Sequence, residues 1–363
     1  MRKRKIAMAT IIQQPAALEL SSMLQDVVFG STADHAVVSV VCTASGDTKT
    51  IYQQTLYHSG GVIRLEYMPE LVEPYARQVL SMQMVVEIKE FNAAGERTST
   101  TTTTPSTVLF GTVDLGGPVD TFLSNHFLTI LNGEKITAPG REERIYAYDA
   151  TQITVTADYL ADGNVVRTYT KTLNAGATTN NVSAFFVSPD NIDLLMDSPE
   201  GTLVSYECEA GARWQKFVIF DDGSVPAPSL AFINSFGCTE FIHCVGTHEK
   251  SSEYTRQSAR FSGKLRNYYV HENRKFKANT GWLNQAMADW ADELFRSQEV
   301  YLWVDGTIGR EVVVSDSTSK ITNDDDDMPS FEFTYTYSQR QHNVMQTGHA
   351  GRIFDNTFDH TFN

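Results

Sequence analysis

Two stretches of this chain repeat one another, not in residue identity but in the order of their signals. Residues 37–75 read VVSVVCTASGDTKTIYQQTLYHSGGVIRLEYMPELVEPY, and residues 153–195 read ITVTADYLADGNVVRTYTKTLNAGATTNNVSAFFVSPDNIDLL. Each has an apolar-alternating run, a turn (Ser45-Gly46-Asp47, then Asp162-Gly163-Asn164) and a second run ending YQQTLY or YTKTL. A Gly-containing loop, a third run and a Pro-acidic dipeptide follow (Pro69-Glu70, then Pro189-Asp190). Gly46 and Gly163 stand 117 residues apart, as do Tyr52 and Tyr169, while Pro69 and Pro189 stand 120 apart. A fixed offset of this size predicts two related domains in tandem. Period-two alternation of apolar and polar residues makes both of them β.

The same alternation recurs elsewhere, in MQMVVEIKEF at 82–91, KFVIF at 216–220 and SFEFTYTY at 330–337. Such runs predict antiparallel sheets packed on one another. Between the repeats lies RTSTTTTTPS. Five consecutive Thr read as a linker by complexity and as a strand by propensity, with NAAGE at 92–96 as the preceding hairpin turn. Both readings put a boundary near Pro105. After Pro226-Ala227-Pro228 the pattern changes. Residues 281–297 (GWLNQAMADWADELFRS) place Leu283, Ala286, Met287, Trp290, Ala291 and Leu294 on one face at helical spacing. Asn279 or Thr280 is positioned to cap that helix. The fold class that follows is mainly β: tandem antiparallel β-sandwich-like domains plus a C-terminal α+β domain with one amphipathic helix. The expected divisions are a basic arm (1–12), β-domain 1 (13–105), β-domain 2 (106–225), the α+β domain (226–347) and a strand-like arm (348–363).

The formal charge is −15, from 29 Lys and Arg against 44 Asp and Glu. Such a balance argues against broad nucleic-acid binding, which needs clustered cations. MRKRK at 1–5 fits either a flexible basic arm or the start of a signal peptide. The apolar stretch after it is at the lower limit for a signal, and no small-residue cleavage site follows, so the arm is preferred. No run approaches the ~18 apolar residues of a membrane span. Cys42, Cys208, Cys238 and Cys244 are few and scattered, which reads as buried thiols in a reducing cytoplasm and not as a disulfide framework.

Chemistry is thinly signposted. Cys238, His243, Cys244 and His248 offer zinc-type ligands within eleven residues. Alternation along a strand, however, sends them to opposite faces, where one ion cannot collect them. NDDDD at 323–327 offers oxygens to calcium but lacks the spacing and central Gly of an EF-hand loop, so a solvated loop is the plainer reading. Trp282 and Trp290 on the helix read as core before they read as ligand site. No GxSxG, HExxH, GxxxxGK[ST] or strand-to-helix GxGxxG motif is present. No catalytic residue, cofactor or metal is expected from these patterns.

The stretches SLAFINSFGCTEFIHCVG and GKLRNYYVHENRKFKANTGWLNQAMADWADELFRSQEVYLW, together with VDTFLSNHFLTI and the closing GRIFDNTFDHTFN, resemble β-rich proteins encoded in the tail modules of phages and prophages of gut anaerobes. That resemblance runs in order along roughly the whole chain, and its motifs are structural. It implies a virion tail or baseplate component, assembled in the host cytoplasm, that partners itself in a ring and contacts other tail proteins. A glycan-binding or adhesive surface protein and an all-β carbohydrate-active enzyme are the competing classes. The closing segment bears on the first. As a strand it places Phe354, Phe358 and Phe362 on one face and only polar side chains on the other, the form of an arm that adds to a sheet. Whether such an arm docks on its own subunit or on a neighbour is left open by the pattern.

Overall fold

The computed structural model describes residues 9–197, 199–318 and 328–338. It is mainly β, with several antiparallel sheets and four helices among the described residues. The N-terminal basic cluster, NDDDD and Phe354, Phe358 and Phe362 lie outside the described residues.

The first unit has a large and a small sheet. The large one runs Leu18–Leu20, Ser106–Leu109, Ser81–Phe91, His35–Ala44, Asp47–Tyr57, with Arg97–Thr102 also paired to Ser81–Phe91. The small one runs Thr10–Gln13, Val27–Gly30, Val62–Leu65. Val38, Val40, Val86 and Ile88 from the first, Phe29 and Ile63 from the second, and Met68 and Val72 from a helix at Met68–Val79 bury one shared core. Two boundaries differ from expectation. Thr10–Gln13 is a paired strand and not part of an arm. Ser106–Leu109 hydrogen bonds to Ser81–Phe91, so the first sheet runs past Pro105. Pro105 itself lacks an N–H and interrupts the pairing without ending the sheet.

The second unit repeats the five-strand path of the large sheet, without a counterpart of Arg97–Thr102 among the described residues. It varies the small sheet by placing its third run, Val182–Phe186, at the centre where Val62–Leu65 is an edge. Its large sheet runs Glu134–Thr137, Arg213–Ile219, Thr202–Ala210, Gln152–Ala161, Val165–Asn174, and its small sheet Arg144–Tyr148, Val182–Phe186, Ala177–Thr179. In each large sheet the first-named pair is parallel and the later ones antiparallel. In each unit, too, a helix leads from the small sheet to the large. The repeated Pro-acidic dipeptide is the start of that helix: Pro69-Glu70 opens Met68–Val79, and Pro189-Asp190 opens Pro189–Met196. A first-turn proline forfeits an N–H that has no partner there anyway, and the acid faces the positive end of the helix dipole.

The third region is a seven-stranded antiparallel sheet in the order Thr239–His243, Ser229–Ile233, Val300–Val304, Thr307–Thr318, Glu332–Tyr337, Lys264–Asn279, His248–Phe261. The helix predicted over 281–297 spans Gln285–Arg296. It buries Met287, Trp290, Ala291 and Leu294 against Phe232, Phe276, Phe333 and Tyr335 of the sheet. Its cap is Asn284 and neither Asn279 nor Thr280. Asn284 Oδ1 accepts the Met287 N–H at 2.8 Å, and its Nδ2 donates to the Glu134 carbonyl at 2.8 Å. The helix starts late because Gly281 is left-handed (φ 78°) and the Leu283 N–H is taken by the Pro329 carbonyl. A joint core of Leu20, Leu109, Leu123, Val182, Phe236 and Cys238 ties the three regions together, with a short helix at Val119–Asn125 within it.

Candidate interaction surface

The last two strands of the third sheet form a hairpin far longer than the sheet that carries it. His248–Phe261 and Lys264–Asn279 pair along their whole length, turned by Ser262 (φ 48°) and Gly263 (φ 77°). Two successive positive φ values make the tight turn whose twist suits a hairpin. Of the second strand, only Phe276–Asn279 meets the next strand of the sheet, pairing with Tyr335 back to Glu332. Residues 251–275 therefore extend beyond the sheet as a two-stranded ribbon, about 35 Å long at the usual rise per residue. Its base is held by the His248 ring nitrogen against the Tyr335 hydroxyl at 3.0 Å, with His248, Phe276 and Tyr335 stacked. Higher up, Glu272 takes the Arg274 guanidinium at 2.8 Å and the Ser252 hydroxyl at 2.9 Å.

Beyond those contacts the ribbon is open to solvent. From 254 to 271 it carries Arg256, Arg260, Lys264 and Arg266 and no Asp or Glu, in a chain whose total is −15. Register fixes how these charges sit. Arg260 stands opposite Leu265 and Phe261 opposite Lys264, so each face of the tip presents one cation beside one apolar side chain. Phe261 is 64% exposed and Leu265 69%. Tyr254 and Tyr268 add exposed rings, and Arg256 lies over the Tyr254 ring at 4.9 Å. Isolated two-stranded ribbons are marginal in water. One that exposes large apolar groups and unpaired edges has the makeup of a docking element.

A buried polar cluster fixes the opposite side of this region. Lys135 Nζ donates to Glu143 Oε2 at 2.6 Å and to the Phe241 carbonyl at 3.0 Å, and lies over the Trp290 ring at 4.3 Å. Trp290 Nε1 and Asn234 Nδ2 both donate to Glu240. Burial pushes the Glu143 and Glu240 carboxyls up, and Lys135 opposes that. Glu293, nearby, is pushed up to about 7 by burial and then by the Glu240 charge. These groups tie strand Glu134–Thr137 to strand Thr239–His243 and to helix Gln285–Arg296.

The zinc-type residues do not converge. Cys238 and Cys244 are buried thiols, as are Cys42 and Cys208. His243 has both ring nitrogens engaged, by Ser229 Oγ at 2.9 Å and the Glu142 carbonyl at 3.0 Å, and burial pushes it down to about 3. His248 belongs to the base of the ribbon. Among the described residues no group of three or more His, Cys, Asp or Glu is placed to hold a metal ion. Thr239–His243 is covered on both faces, with Glu240, Phe241 and Ile242 all buried, where alternation had implied a half-buried strand. The reason is the polar cluster, which gives Glu240 partners inside. Of the two tryptophans, Trp290 is core and Trp282 is 71% exposed.

The ribbon escaped the sequence reading because its strands lack the apolar alternation of a half-buried sheet. The signal that marks it is the acid-free run 254–271 around Ser262-Gly263. No family model and no curated protein matches the chain. Among solved structures, the plexin A4 full extracellular region is similar at 9% identity and a TM-score of 0.20, over 93% of this chain and 37% of that one. A likeness that weak carries no argument.

Proposed function

We propose that this chain is a structural protein of a phage virion, a tail or baseplate component that acts by binding copies of itself in a symmetric ring, together with other tail proteins, after synthesis in the host cytoplasm. The ribbon carries this reading: an element that projects from its own sheet with exposed apolar groups and local charge is made for a partner surface. The resemblance to tail-module proteins, in order along roughly the whole chain, agrees with it. Native mass measurement and electron microscopy of the purified 40.5 kDa chain test it. Rings or regular multimers are expected, and a monomer at every concentration sinks the reading.

A glycan-binding role is the second reading. It rests on Trp282, which stands at the edge of a cavity of about 470 Å³ lined also by Phe241, Met287, Trp290 and Arg141. Aromatic faces beside a few polar groups suit sugar rings. Quenching of tryptophan fluorescence by glycans, lost in Trp282→Ala, supports that role; a flat titration removes it.

A further inference from the structure

Beyond the end of the second strand of the third sheet lies an acidic groove of about 830 Å³, where helix Met68–Val79, residues 112–115 and helix Gln285–Arg296 meet. Glu73, Asp114, Asp289, Asp292 and Glu293 line it, over apolar side chains that include Phe122. Two cations line it as well, and both are already engaged. Arg296 pairs with Asp292 at 2.8 Å, and Arg77 is held by Gln298 at 2.6 Å and Glu299 at 3.0 Å. Glu73, Asp114 and Asp289 have no ion-pair partner among the described residues. Glu293 is only 4% exposed. One of its oxygens accepts the Ser235 N–H at 3.0 Å, while Oε2 is buried with no hydrogen-bond partner among the described residues. A buried carboxylate oxygen without a donor is costly, and a cation arriving through the groove removes that cost.

The chain itself offers a complementary group. With four cations and no acid, the run 254–271 leaves the rest of the chain at −19 (−15 less 4). The groove reaches Ile233 and Asn234, at the end of strand Ser229–Ile233, while the ribbon leaves the far edge of the same seven-stranded sheet. Five strand spacings put the two about 24 Å apart. A contact between them joins unlike surfaces, and unlike surfaces propagate from copy to copy into rings or filaments.

We infer that the groove floored by Glu293 receives the basic ribbon tip of a second copy of this chain, head to tail. The inference rests on the self-assembly reading and names its contact. A Lys264 or Arg260 side chain reaches toward Glu293 and Asp289, while Phe261 or Leu265 covers the apolar part of the groove.

Charge reversal in full-length protein tests it. Arg260→Glu with Lys264→Glu, and separately Glu73→Lys with Asp289→Lys, are each expected to weaken association about a hundredfold, since like charges then face each other. The variant carrying all four changes is expected to recover most of that loss. Recovery requires a folded protein, so it separates interface from stability. In parallel, Ser262→Cys with Asp289→Cys is expected to give an oxidation-dependent ladder of covalent multimers, the native thiols being buried. Wild-type multimers that survive both reversals with no ladder overturn the groove while the assembly reading stands. A wild-type monomer at all concentrations overturns both. Retention of duplex DNA that disappears on ribbon reversal, without self-association, makes the ribbon a nucleic-acid element and also overturns the inference.

Discussion

At the scale of single residues, the buried charges are the part of this molecule least visible in its sequence. Lys135 sits in an ordinary-looking GEKIT, and nothing in that string announces a cation that spans two carboxylates and a tryptophan. Glu143 is eight residues away, but the rest of the lysine's environment comes from a strand and a helix more than 100 residues further on, such as Phe241. Lys135→Met leaves the buried Glu143 without its ion-pair partner. It is expected to destabilise the fold by about 3–5 kcal/mol, read from urea unfolding at pH 7, with Glu143→Gln recovering part of the loss. Glu293 has a pH signature of its own. Ser235 faces it as a donor, Glu240 as a like charge and Arg296 as a distant cation. Its folded value is raised, from 4.5 to about 7. The stability associated with its protonated form is therefore complete below about pH 4.5 and lost as pH rises through about 7. Glu293→Gln keeps an acceptor for Ser235 and removes the charge. It is expected to match wild type at pH 4 and to exceed it at pH 8 by up to about 3 kcal/mol, measured by thermal or denaturant unfolding. Equal stability at both pH values refutes this.

Among elements, strands were legible and helices only partly so. Runs such as 82–91 alternate because one face is buried, and the structure puts Met82, Met84, Val86 and Ile88 inside. Helix Gln285–Arg296 was legible by the same logic at helical spacing. Helices Met68–Val79 and Pro189–Met196 were not, because each contributes few buried residues and begins with a proline that also reads as a loop. The C-terminal helix owes its start to one side chain. Asn284→Ala forfeits the cap and the bond to Glu134, and is expected to cost about 1–2 kcal/mol, visible as a lower urea midpoint. The ribbon is different in kind, since it contributes little to any core. Replacing residues 255–271 by Asn-Gly, which keeps the Tyr254–Glu272 pair as the flank of the new turn, is expected to leave the unfolding midpoint within a few degrees and to abolish association. A protein that fails to fold after this excision refutes the view that the ribbon is an appendage.

Across the whole molecule, the proposed self-association has an electrostatic signature. A net −15 chain repels its own kind at long range, and among the described residues the ribbon reverses that locally. Association through a charged tip is expected to weaken as salt rises from ~0.05 M to ~0.5 M, where screening acts within a few ångströms. Sedimentation across that range measures it; association that strengthens with salt instead points to an apolar interface.

The repeated parallel pair has a consequence in time. In both units the strand that closes the sheet is made last, yet its parallel partner was made before the rest of that sheet. Leu18 waits for Thr107, and Glu134 waits for Lys216. At about 5–20 residues per second of synthesis, each waits roughly 4–18 seconds on the ribosome with an open sheet edge, and loop closure over such distances is slow even after release. The duplicated plan thus makes the chain a late closer twice over, and the interval before each closure is when an emerging copy is most exposed to pairing with the wrong strand.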